Sequence, residues 1–171
     1  VQARRELACH DPAKLLPQIK KWVGALDQKD PNYEHHRLEG LWLVAAMRAN
    51  YPELAMEALR SPSPQARAGA VRAIASWNSK AAPIDKMSLL AQAVEDPHPR
   101  VRLEAVSALR NIGTLESATI ALRALGQETD NNLAFALELT VRNLRDKWLP
   151  AMQAGKPVFD GDPSRLAYAL K

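Results

Sequence analysis

Two phenylalanines, seven glycines and a single cysteine are all that the 171-residue sequence holds of those types. A lone Cys9 cannot close a disulfide within the chain, so the fold must be held by a core rather than by cross-links. The cysteine stands in Ala8-Cys9-His10, which lacks the upstream cysteine of a Cys-x-x-Cys-His haem attachment site. Scarce glycine and only 5% aromatic residues, beside abundant alanine and leucine, argue against a sandwich or barrel and for helices. No apolar run approaches the roughly 18 residues of a membrane span, and no signal peptide opens the chain. Nor is there a glycine-rich strand-to-helix loop of the kind that cradles phosphate. Gly161-Asp162-Pro163 reads instead as a helix start, with Asp162 as N-cap and Pro163 in the first turn. Charge of one sign is also short: 23 basic against 19 acidic residues give a net +4, too mild to demand a polyanionic partner. The chain opens on Val1 and stops inside a freshly capped helix, so it is expected to be part of a longer protein.

What is present is a repeat. Residues 61–74, SPSPQARAGAVRAI, align with residues 96–109, DPHPRVRLEAVSAL, at an offset of 35. The match pairs Pro62 with Pro97, Pro64 with Pro99, Arg67 with Arg102 and Val71 with Val106. RLEGL at residues 37–41 matches RLEAV at 102–106, and VRNL at 141–144 matches LRNI at 109–112. A shorter amphipathic stretch precedes each such helix, at residues 13–26, 52–60, 84–94 and 115–125. The pattern predicts four helix-turn-helix units at about 11–49, 52–78, 84–113 and 115–147, with residues 148–171 folding over the last as a cap within one domain.

The paired prolines mark where one helix ends and the next begins, because proline lacks a backbone donor and is tolerated in the first turn. At about 100° per residue, Val101, Ala105, Val106, Ala108, Leu109 and Ile112 share one arc, with Arg100, Glu104, Ser107, Arg110 and Asn111 opposite. Arg102 falls inside the apolar arc, between Leu109 and Val106. A charge there is costly unless paired, so it must find an acidic or carbonyl partner, and Asp96 is the nearest acid. DPHPRVRLEAVSAL resembles the second helix of a HEAT repeat, a resemblance that implies a right-handed all-α solenoid and a ladder in which Asp96 and Arg102 join neighbouring units, with Arg67 at the equivalent place. The second unit has Ser61 in place of the acid and the fourth has Ala134 in place of the arginine. A narrower resemblance rests on EHHRLEGLW and on Trp148 to Gly155. It is to the HEAT segment of large secreted bacterial multidomain proteins of the membrane-bound dehydrogenase class, in which a β-propeller precedes and a c-type haem domain follows. That resemblance implies a secreted or periplasmic setting, with the haem motif outside this segment.

Candidate chemistry weighs little against plainer readings. The adjacent His35 and His36 diverge by about 100° on a helix and lack the i, i+4 spacing of a shared metal, so His36 is read as a core residue and His35 as outward. His10 and His98 read as exposed turn residues. Cys9 has no assignable base or orienting partner. Trp22, Trp42, Trp77 and Trp148 read as packing residues rather than a stacking platform. Residues 60–110 hold eight basic side chains (Arg60, Arg67, Arg72, Lys80, Lys86, Arg100, Arg102 and Arg110) against four acidic ones (Asp85, Glu95, Asp96 and Glu104). Nucleic-acid binding through that basic middle is therefore the alternative to the leading expectation, a non-catalytic scaffold without metal, cofactor or small-molecule substrate. The scaffold would meet neighbouring domains or another protein through Arg72, Arg100, Ser107 and Arg110 on the outer faces of the second helices.

Overall fold

The computed structural model describes residues 6, 7, 9–77 and 85–171, and these form ten α-helices and no strand. The chain is all-α, as the composition requires. It divides into two compact units, residues 1–86 and 87–171, each described by itself. Residues 78–84, where the second repeat was expected to close and the third to open, lie outside the described residues, and Lys80 lies among them.

In the first unit α1 (Pro12–Gly24), α2 (Tyr33–Ala46), α3 (Pro52–Leu59) and α4 (Pro64–Ser76) make two helix pairs. Three of the four begin on proline, and α1 and α4 add a side-chain cap: the Asp11 carboxylate accepts from the Ala13 amide at 2.9 Å and the Ser63 hydroxyl from the Ala66 amide at 3.3 Å. α2 packs on α1, α3 and α4. Glycine makes the closest approach possible: a Cβ on Gly40 of α2 would lie 2.7 Å from Val23 Cγ2 of α1. Leu15, Ile19, Leu43, Val44 and Met47 form the core of the first pair. Lys86 Nζ donates to the carbonyls of Ala75 and Trp77 at 3.0 and 2.7 Å, closing the C-terminal end of α4.

The second unit contains α5 (Lys86–Val94), whose first residue is the last of the first unit, then α6 (Pro99–Ile112), α7 (Leu115–Ala121), α8 (Asn131–Asn143), α9 (Arg145–Gln153) and α10 (Pro163–Ala169). α6 packs on α7 and α8. It starts on Pro99, with the His98 ring accepting from the Arg100 amide at 3.2 Å, and stops at Gly113, which takes the left-handed φ of 77°. The helix expected over 115–125 is shorter: α7 ends at Ala121 and residues 122–126 tighten into a 3-10 turn. The C-terminal segment covers the last pair, for α9 packs on α7 and α8, and α10 packs on α8 and on the 3-10 turn.

Candidate interaction surface

Arg102 is 1% exposed. Its Nη1 donates to the carbonyl oxygens of Asp96 at 2.7 Å and Pro97 at 3.0 Å and to Gln127 Oε1 at 3.0 Å, while Nη2 donates to the Glu128 carbonyl. Gln127 in turn donates to the Glu95 carbonyl at 2.7 Å. The guanidinium thus ties the turn before α6 to the loop before α8. The Asp96 carboxylate accepts from the His98 amide at 2.8 Å and so shapes that turn, while its main chain receives the arginine. Arg67 repeats the arrangement, donating to the Ser61 carbonyl at 3.0 Å and the Pro62 carbonyl at 3.2 Å. A third member, Arg37, was not singled out from the sequence although RLEGL matches RLEAV. It is buried, donates to Glu34 Oε1 at 3.2 Å and to Glu57 Oε2 of α3 at 3.3 Å, and lies over the Tyr33 ring.

The four residues expected to meet a partner divide between the units. Arg72 is exposed on α4 of the first. Arg100, Ser107 and Arg110 all stand on α6 of the second, where Arg100 is exposed and pairs with Glu104 at 3.2 Å, whereas Ser107 and Arg110 are only half-exposed. Two packing expectations are corrected. His36 is half-exposed in the first turn of α2, 3.8 Å from Asp30 Oδ2, because the turn before the helix brings that carboxylate beside it. Trp22 is 44% exposed, since α1 turns Leu15 and Ile19 into the core and leaves the indole at the rim. Trp77 and Trp148 are buried. Cys9 and His10 are exposed. Among the described residues no group of three His, Cys, Asp or Glu could hold a metal ion, and no helix is long and apolar enough to cross a membrane.

Helix pairs whose second helices, α4 and α6, open on proline and return an arginine to their own turn are the geometry of one repeat family, and the family model for HEAT repeats matches residues 52–140, just over half of the chain. The chain belongs to the HEAT-repeat family. No curated protein and no solved structure matches it. HEAT repeats commonly act as protein-interaction scaffolds and are generally non-catalytic.

The last HEAT pair is latched to its cap by charge. Arg123 donates to both carboxylate oxygens of Asp160, at 3.0 and 3.2 Å, and Arg165 donates to Asp160 Oδ2 at 2.7 Å. The hydrogen bond from Arg123, joined by Arg165, holds the Asp160 carboxyl below the usual carboxylate range. Its folded-state pKa lies below the unfolded one, so its contribution is present above the unfolded value of about 4 and is lost as pH falls through the folded value. Asp160→Asn is the matched control, because asparagine also tolerates the φ of 59° at this position. The variant is expected to unfold at a lower temperature than the parent at pH 7, with the gap narrowing as the pH falls below about 4. The gap is modest because Asp160 is 41% exposed. A gap independent of pH would show that the latch does not act through its charge.

Proposed function

We propose that the chain is an interaction module that docks a neighbouring domain of its own protein, or another protein, through Arg100, Ser107 and Arg110 of α6 in the second unit, with Arg72 of α4 a separate candidate contact on the first unit. The observation that carries the reading is α6 itself. Val101, Arg102, Ala105, Val106, Ala108 and Leu109 are buried and committed to packing. The three polar residues fall within about 80° of one another around the helix and span about 15 Å along it, a broad shallow strip suited to a protein face. The secreted setting, with a propeller before the segment and a haem domain after it, belongs to this proposal on the strength of EHHRLEGLW and Trp148 to Gly155. A Cys-x-x-Cys-His downstream in the reading frame would support it.

The nucleic-acid reading has less to stand on, because cations that would meet phosphate are already used: Arg67, Arg102 and Lys86 on carbonyl groups and Arg100 on Glu104. With a photoreactive side chain at Ser107 in the full-length protein, irradiation is expected to crosslink a protein segment. Charge reversal at Arg100 and Arg110 together should abolish the crosslink while lowering the unfolding temperature only modestly, since Arg100 gives up its exposed pair with Glu104. No crosslink, with steeply salt-dependent binding of a labelled duplex instead, would overturn the proposal.

A further inference from the structure

The α6 strip does not end at the edge of its helix. The helices α6, α8 and α10 begin at residues 99, 131 and 163, each 32 after the one before, and α8 packs on both of the others. At that spacing Leu103 of α6, Phe135 of α8 and Ala167 of α10 occupy equivalent turns, as do Ser107 and Leu139, and Arg110 and Arg142. Phe135 is 62% exposed. The outward residues of α8, from Asn131 and Asn132 to Arg142 and Asn143, span an arc of about 140° around the helix, and Phe135 falls near its middle. The flanking helices are already in place at this level. Tyr168 of α10 donates to the carbonyl of Ala134, the residue before Phe135, at 3.4 Å, and Leu103 of α6 is half-buried. The ring thus stands outside the packing of its own unit with both neighbours present, and its apolar area is gained only when another surface covers it.

Charge says what that surface is. Arg142 lies about 10 Å along α8 from Phe135, with Arg110 at the equivalent turn of α6. Arg142 is held by Glu138 at 2.6 Å and Arg100 by Glu104 at 3.2 Å. Arg110 has no partner among the described residues and is the uncompensated charge of the face. We propose that Phe135 is the anchor of the docking face, and that its partner is a protein surface offering an apolar pocket for the ring with carboxylates about 10 Å away, placed to meet Arg110 and Arg142. The inference rests on the α6 reading and adds to it an apolar centre and the chemistry of the partner. A single nucleic-acid strand fits the face less well: a base would stack on the ring, but Glu104 and Glu138 stand beside Arg100 and Arg142 and repel phosphate.

The test uses the full-length protein with a photoreactive side chain at one of two positions, benzoylphenylalanine in place of Phe135 or the probe at Ser107. Irradiation of each is expected to crosslink the same protein segment, and mass spectrometry should find Asp or Glu beside apolar residues in it. With the probe at Ser107, Phe135→Ala should cut the crosslink by about ten-fold or more, the loss that marks an interface anchor, whereas Phe135→Leu should keep most of it. Neither substitution should move the unfolding midpoint by more than an exposed helical position does, because the ring is outside the core. A Ser107 crosslink that charge reversal at Arg100 and Arg110 abolishes but Phe135→Ala leaves intact would overturn this inference and keep the α6 reading. A crosslink from position 135 with none from Ser107 would do the reverse. Crosslinking to a second copy of the chain, to an added oligonucleotide or to a segment without acidic residues, or a midpoint that falls as far as for a core truncation, would also overturn the anchor. No crosslink from either position would overturn both.

Discussion

Replacing Arg102 by alanine is expected to lower the unfolding free energy by about 3–5 kcal/mol, while Arg100→Ala lowers it by less than about 1 kcal/mol. The two arginines lie two residues apart on α6 and differ only in surroundings. Arg100 is exposed and loses one ion pair to Glu104. Arg102 is buried, and its removal strips a donor from the carbonyls of Asp96, Pro97 and Glu128 and from Gln127. The acceptors are part-buried, so each left without a partner costs at the low end of about 1–3 kcal/mol, less than additively, and the lost packing of the buried arginine adds to this. Arg102→Lys should fall between, because one ammonium cannot reach both the turn before α6 and the loop before α8. Urea unfolding of the three variants checks the ordering: equal midpoints for Arg102→Ala and Arg100→Ala would refute it.

The ladder also shows how far the sequence could be read. That Arg102 must be buried and bonded was visible, because it interrupts an apolar arc. That its partners are mainly carbonyls was not, since a sequence displays side chains rather than unpaired main-chain groups. The physical reason is nonetheless written in Pro97 and Pro99, which supply no N–H to the turn and leave its carbonyls without a local donor. This explains why the second repeat keeps the arrangement with Ser61 in place of an acid: Arg67 needs the carbonyls of residues 61 and 62, and any residue provides them. Arg37, which no such pair of prolines precedes, takes the carboxylates of Glu34 and Glu57 instead. His36 and Trp22 were misplaced for a related reason. A helical wheel gives an angle but not what stands opposite it, and coverage is decided by the neighbouring helices.

The second large effect is expected at the cap. Trp148→Ala should destabilise the second unit by about 3–5 kcal/mol, as truncation of a buried aromatic does. Trp148 is 2% exposed and its ring meets that of Phe159, fully buried, at a centroid distance of 5.6 Å and an angle of 55°. Phe159 is carried into that position by a tight turn in which Phe159, Asp160 and Gly161 all have φ between 54° and 72°. For Phe159 and Asp160 this is a conformation that side chains with a Cβ rarely adopt, so the turn persists only because the ring contact and the Asp160 latch hold it. Removing either ring should release the same turn. Phe159→Ala is therefore expected to cost nearly as much as Trp148→Ala, and the double variant to cost clearly less than the two together. Released, the cap from α9 to α10 should open locally before the unit unfolds, and trypsin should cut after Lys147 or Arg165 faster in both variants than in the parent. Lys156 precedes Pro157 and is a poor trypsin site, so cleavage elsewhere reports the opening. Additive losses in the double variant, or unchanged cleavage, would mean that the two rings do not hold the cap as one contact.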